Sequence, residues 1–226
     1  MLLHIPNVLS AAELAQCRRT LAEAPWADGR LTAGHQSVKA KDNLQLPQDC
    51  AEARALGTLV LRALERNPMF ASAALPRTVF PPLFNKYENG MSFGAHVDNA
   101  IRPVPDRARR IRTDVSATLF LSAPEEYDGG ELIVEDTFGT RGVKLPAGDM
   151  VLYPATSLHR VESVTRGARL AAFFWVQSMV KDDAERRLLF DLDRAVVSLG
   201  KDLPDHPALV SLTGIYHNLV RKWGEV

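Results

Sequence analysis

The residues of this chain with the clearest chemical potential lie in the run Tyr87–Glu–Asn–Gly–Met–Ser–Phe93–Gly–Ala–His96–Val97–Asp98. In an extended chain, residues two apart point to the same side. His96 and Asp98 can therefore offer an imidazole nitrogen and a carboxylate oxygen to a single cation. A third ligand must come from elsewhere, and His159 is the best candidate, because it opens a strand-like segment after the turn Pro154–Ala–Thr–Ser–Leu158. Two histidines and one carboxylate on a β scaffold form a facial triad, which leaves coordination positions open. Those positions suit a bidentate 2-oxo acid and dioxygen. Arg169 stands just ahead of the apolar run Leu170–Val176. A buried arginine requires an anionic partner, and its planar fork matches a carboxylate bidentately. Arg169, Ala171 and Phe173 share one face of that strand, with the small Ala171 leaving room beside the guanidinium.

The elements that must position these residues follow from periodicity and turn chemistry. Ser10 and Glu13 form a capping box ahead of a helix carrying Leu14, Cys17 and Leu21 and ending near Pro25. A second helical run, Ala53–Leu64, stops at Asn67–Pro68. Between them, 28–49 is polar and irregular and reads as a surface loop. From Thr78 the texture becomes strand and turn. Strands are expected near Val79–Tyr87, Thr113–Leu121, Glu131–Glu135, Gly142–Lys144, Asp149–Tyr153, His159–Val164 and Arg169–Ser178. Strands at this spacing without intervening helices argue for a sandwich or jelly roll. After Val180 two amphipathic runs, the first capped by Asp182, make a helical hairpin. The expected organisation is an N-terminal helical support over 1–77, a β domain over 78–180 and the hairpin over 181–226.

His96, Asp98, His159 and Arg169 in this order resemble the iron- and 2-oxoglutarate-dependent dioxygenases, particularly the PKHD-type hydroxylases, relatives of prolyl and lysyl hydroxylases. The resemblance extends over nearly the whole chain. It implies a mainly β fold with flanking α-helices, built on a double-stranded β-helix (jelly-roll) core. It also implies that His96, Asp98 and His159 bind Fe(II), that Arg169 binds the distal carboxylate of 2-oxoglutarate, and that Tyr87 hydrogen-bonds this co-substrate. Relatives often carry a second tyrosine where this chain has Phe93, so any hydrogen bond from that position is lost. The implied activity hydroxylates an unactivated C–H bond while 2-oxoglutarate and O2 give succinate and carbon dioxide, with L-ascorbate as reductant. The implied substrate is a peptidyl side chain or a small molecule.

Composition sets limits on the alternatives. The chain has 226 residues, with 27 basic and 27 acidic side chains, so its formal net charge is zero. That balance argues against nucleic-acid binding through charge alone. The 46% hydrophobic fraction is that of an ordinary globular protein. Two cysteines, Cys17 and Cys50, are too few for a disulfide framework. No apolar run approaches a membrane span, and the start lacks a basic n-region, so a reducing cytoplasm is expected. His4, His35, His206 and His217 read as structural or surface residues, and both cysteines as inert thiols. The stretch Arg102–Arg112 holds five arginines and reads as a loop; it is expected to form a cationic lip for an anionic substrate or acidic peptide. The C-terminal apolar stripes suit helix packing or a homodimer. Three other readings stand beside the dioxygenase: a non-enzymatic metal and 2-oxo-acid sensor, a zinc-dependent hydrolase, and an interaction protein built on the terminal helices. The zinc hydrolase leaves Arg169 unexplained and lacks an obvious general-base glutamate near the dyad.

Overall fold

A computed structural model of the chain describes residues 1–32, 40–104, 110–136 and 139–226. Its strands are β1 (Leu3–Ile5), β2 (Ala27–Asp28), β3 (Lys41–Asp42), β4 (Leu44–Gln45), β5 (Pro76–Val79), β6 (Leu83–Glu88), β7 (Ser92–His96) and β8 (Ile101–Pro103), followed by β9 (Arg110–Arg112), β10 (Val115–Phe120), β11 (Tyr127–Gly129), β12 (Leu132–Asp136), β13 (Gly139–Val143), β14 (Met150–Pro154), β15 (His159–Val161) and β16 (Val164–Ser178). The helices are α1 (Ala11–Ala22), α2 (Ala51–Glu65), α3 (Pro68–Ala74), α4 (Asp183–Asp202) and α5 (Ala208–Trp223).

The strands form a jelly-roll sandwich. The larger sheet runs β1-β14-β10-β16-β6-β4-β2, with β5 and β11 also on β16; the smaller runs β13-β12-β15-β7-β3. All recorded pairings are antiparallel. The alternation of β16 explains how the layers assemble. Ala172, Phe174 and Val176 pack with Leu56, Val60 and Phe70 of the N-terminal helices. Arg169, Phe173 and Trp175, on the opposite face, line a cleft between the sheets. Beside that cleft Tyr87 and Phe120 of the larger sheet pack on Leu132, Val134 and Val161 of the smaller one. Fully burying one such large apolar side chain contributes roughly 2–3 kcal/mol. Covering the outer face with helices is thus what lets β16 be apolar on one side and chemically loaded on the other.

Several expectations are corrected in detail. The strand expected over Val79–Tyr87 is two strands, because Pro81 and Pro82 have no N–H for a ladder. The break expected before Arg169 is absent: β16 is continuous for 15 residues, while β15 ends early at Val161. Asn67–Pro68 stops one helix and also starts the next, with the Asn67 side chain accepting from the Phe70 N–H at 2.9 Å and Pro68 in the first turn. The segment 28–49 is not only a surface loop: β3 and β4 join the two sheets, and Lys41, Asn43, Gln45 and Leu46 are buried. The arginine-rich stretch contains a two-stranded ribbon, β8–β9, whereas Arg107 and Arg109 lie outside the described residues, as does His35.

The capping box at Ser10 is present as expected, and α4 is capped by Asp182, whose side chain accepts from Ala184 and Glu185. The hairpin of α4 and α5 packs beside Leu75 and Val180, yet α5 has no fully buried residue. Among the described residues no helix is long and apolar enough to cross a membrane.

Candidate active site

His96 and His159 face each other across the smaller sheet, because the register of β7 and β15 pairs the two positions directly. Opposed residues of antiparallel strands bring their Cβ atoms to about 5 Å, and here the imidazole centroids are 4.2 Å apart. Asp98, two residues beyond His96, folds back so that its Oδ2 lies 3.8 Å from His159 Nε2. One ligand atom from each of the three falls within 4.8 Å of the others.

Neighbours fix each ring and the carboxylate. The His96 Nδ1 donates to the Gly94 carbonyl at 2.8 Å, and the His159 Nδ1 to the Ser157 carbonyl at 3.0 Å. Each bond leaves the Nε2 lone pair facing the centre, the tautomer a metal requires. Phe93 stacks on His96 at 3.7 Å and 21°, and Tyr153 meets His159 edge-on at 5.1 Å. Ser116 donates its hydroxyl to Asp98 Oδ2 at 2.5 Å. Burial, and secondarily the neighbouring His159, hold the His96 pKa well below that of a free imidazole, so this ring is neutral and ready to ligate near pH 7.

Arg169 sits in the other sheet, opposite Tyr87 in the β16–β6 register. It is 1% exposed, and its guanidinium lies 5.2 Å from the Phe120 ring and 5.5 Å from the Tyr87 ring. Its Nε and Nη1 are buried without a hydrogen-bond partner, and so is the hydroxyl of nearby Tyr127. Burial pushes the Tyr87 phenol up to about 12 and also raises Tyr127, so both are neutral donors beside a fixed cation. A charged fork with orphaned donors, buried beside aromatic rings, is a site shaped for an anion.

The trio, Tyr87 and Arg169 thus line one cleft. Sequence patterns gave no warning of several other residues there. Lys41 belongs to the two-residue strand β3 and Asn43 to the link between β3 and β4, with no periodicity to read. The Lys41 ammonium donates to Gln45 Oε1 at 2.9 Å, and burial, then the Arg102 charge, lowers its pKa to about 8. Ser116 has a signal, being with Thr118 one of two hydroxyl residues in the central strand β10. Arg102 reads from the sequence as part of an arginine-rich loop but lies in β8.

The remaining polar candidates lie elsewhere. His4 pairs with Asp149 at 2.7 Å and ties β1 to the sheet. Cys17 is fully buried, with burial driving its thiol up to about 11, and the Cys50 Sγ caps α2 by accepting from the Ala53 N–H. The His206 Nδ1 accepts from Ala208 N–H, and His217 is exposed.

Comparison with known proteins gives a consistent picture. The model of the 2OG-Fe(II) oxygenase superfamily matches residues 82–177, and that of the PKHD-type hydroxylase C-terminal domain matches residues 183–225. A PKHD-type hydroxylase of Gluconobacter oxydans (strain 621H) is 64% identical over 227 residues, and one of Beijerinckia indica is 58% identical over 226, each comparison covering 100% of both chains. Among solved structures, a Pseudomonas putida prolyl-4-hydroxylase aligns with a TM-score of 0.52 at 21% identity, over 78% of this chain and 92% of that one. A Trichoplax adhaerens prolyl hydroxylase, in complex with a hypoxia inducible factor peptide fragment, aligns with a TM-score of 0.54 at 14% identity, over 83% and 86%. At these identities the structural likenesses speak to the fold.

Proposed function

The chain belongs to the PKHD-type hydroxylases of the 2OG-Fe(II) oxygenase superfamily, and from that premise we propose that His96, Asp98 and His159 hold Fe(II) while Arg169 anchors the far carboxylate of 2-oxoglutarate. The observation that carries the reading is the pair of orphaned donors on Arg169, buried in the same cleft as a two-histidine, one-carboxylate cluster. The donor set fits the metal: two imidazoles and a carboxylate suit non-haem iron with open positions. When bound, iron supplies the oxidising chemistry, coupling conversion of 2-oxoglutarate and dioxygen to succinate and carbon dioxide with hydroxylation of a C–H bond.

The residues of the chain do the rest. Arg169 fixes one end of the co-substrate, and the ligand trio sets where its 2-oxo-acid end must lie, converting encounter into a fixed reacting geometry. Tyr87 is a neutral donor beside Arg169, placed to bond the same carboxylate. Phe93, Gly94 and Ser157 hold the imidazoles, and Ser116 holds Asp98 so that one oxygen faces the centre. Phe120, Leu132 and Val161 keep bulk water from the anchor, which strengthens its charge interactions. Asp98 is the only carboxylate among the described residues that line the cleft. That leaves a hydrolase without the additional general base it needs. The substrate is a peptidyl or small-molecule C–H donor, and ascorbate serves to restore iron oxidised in uncoupled turnovers.

The test is anaerobic titration of the metal-free chain with Fe(II) and 2-oxoglutarate, watching for a visible charge-transfer band, followed by admission of oxygen and a count of succinate. The band is expected in wild type, absent in His159→Ala and weakened in Arg169→Ala. Iron bound without a band at millimolar 2-oxoglutarate overturns the reading. A band that never yields succinate, with any substrate tried, makes the protein a sensor.

A further inference from the structure

The three described arginines of the stretch after Asp98, namely Arg102, Arg110 and Arg112, face different surroundings. Arg112 is committed to Asp114 at 2.7 Å and Glu225 at 3.2 Å. Arg110 faces a separate groove with Leu61 and Phe70. Arg102 alone among the described ones lines the cleft that holds His96, Asp98 and His159. Its guanidinium carbon lies 3.9 Å over the Trp175 ring and 5.5 Å from the Phe80 ring. Its Nε is buried with no hydrogen-bond partner. Among the described residues no carboxylate ion-pairs with it, and the one acid whose charge reaches it is Asp98.

Asp98 cannot serve as its counter-ion in the working enzyme. On the reading above, the formal charges of the loaded centre cancel: iron and Arg169 on one side, Asp98 and the two carboxylates of 2-oxoglutarate on the other. Arg102 remains, held against two aromatic rings in a largely apolar cleft, with its charge unmatched. We infer that Arg102 receives a carboxylate of the substrate, so that the hydroxylated molecule is a carboxylic acid, its reacting C–H held between Trp175 and the metal ligands. The planar fork favours a planar monoanion. The nearby Lys41 ammonium adds to the positive field.

The inference rests on the proposed loading of the centre, and the test separates the two. The full chain is loaded with Zn(II), a diamagnetic ion, and saturating 2-oxoglutarate, which occupies Arg169. Propionate and propionamide are then titrated while the indole N–H resonance of Trp175, assigned with Trp175→Phe, is followed by NMR. A second arm uses the acetylated, amidated tripeptides Ala-Glu-Ala and Ala-Gln-Ala. It distinguishes a peptide side chain from a free acid as the source of the carboxylate. In at least one arm the acid is expected to bind at least tenfold more tightly than its amide. That preference should vanish in Arg102→Gln and survive in part in Arg102→Lys. Equal binding of acid and amide in both arms overturns the inference, as does a preference that persists in Arg102→Gln. Tighter binding of inorganic phosphate than of propionate overturns the choice of carboxylate. If calorimetry shows no binding of 2-oxoglutarate to the Zn(II)-loaded wild type, the function proposed above fails. If 2-oxoglutarate binds and acid and amide are not distinguished, only the present inference fails.

Discussion

Replacing Arg169 by methionine separates what this side chain does for the fold from what it does for a ligand. In the unliganded protein the guanidinium is 1% exposed with two nitrogens unpartnered. Each orphaned buried donor costs about 1–3 kcal/mol, more when charged. The rings of Tyr87 and Phe120 offset part of that, at roughly 0.5–2 kcal/mol for a cation beside an aromatic face. Methionine is of similar length, is apolar, and packs well against aromatic rings. The net expectation is that Arg169→Met raises unliganded stability by about 2 kcal/mol. For a chain of this size that is a rise of roughly 4–8 °C in Tm. The liganded state should behave oppositely. At about a hundredfold excess over Kd, 2-oxoglutarate should stabilise the Mn(II)-loaded wild type by about 2.7 kcal/mol, and the variant hardly at all. Urea unfolding of both proteins with and without 2-oxoglutarate reads all four values. A variant less stable than wild type by more than about 1 kcal/mol without ligand refutes the reasoning about the buried charge. Equal stabilisation of both by 2-oxoglutarate refutes the anchor.

Three further outcomes are expected. Ser116→Ala, which frees Asp98 to rotate, should weaken metal binding about 10-fold or more, read by competition with a chelating dye; unchanged affinity would show that the 2.5 Å bond does not orient the ligand. Gly167→Ala should cost at least about 2 kcal/mol in urea unfolding, since the backbone there has φ +69° and an added Cβ would lie 2.0 Å from the Glu126 carbonyl oxygen; a neutral result would mean β11 can move away. Lys41 is lowered from 10.5 to about 8 by burial, so above pH 8 the unfolded state binds more protons than the folded one. Stability should therefore rise with pH across that window, by up to about 3 kcal/mol, and Lys41→Met should lose this increment while being the more stable protein at pH 7. Parallel pH profiles for the two proteins would count against the assignment.

What the sequence disclosed about the site was whatever an extended strand makes periodic. Arg169 at the head of an apolar run is legible because side chains alternate along a strand, and His96 and Asp98 because they stand two apart, although β7 ends at His96 and Asp98 lies just beyond it. His159 is legible because a turn and an apolar segment bracket it. The opposing register of His96 and His159 is not local, since it depends on which of several strands pair. Lys41 and Asn43 are hidden in a polar stretch because a two-residue strand and the link after it carry no pattern, and their burial is imposed by neighbours distant in sequence. Arg102 was grouped with neighbouring arginines because charge clustering is visible in a sequence, whereas the ring it lies on, Trp175, belongs to another strand. The helices were more legible, since caps and 3.6-residue periodicity are local, although Asn67–Pro68 shows one signal serving as both stop and start.

The cleft also behaves as a caliper. The two histidines belong to one sheet and Arg169 to the other, so the distance between them is set by how far apart two packed sheets stand, about 10 Å. That gap is held by interdigitated side chains such as Tyr87, Phe120, Leu132 and Val161, not by the loops at the mouth. Loops can therefore change to suit new substrates without altering the reach between the jaws. On the proposed reading, a 2-oxo diacid one carbon shorter or longer than 2-oxoglutarate meets only one jaw well, and replacing Leu132 or Val161 by a smaller residue should reset the length accepted.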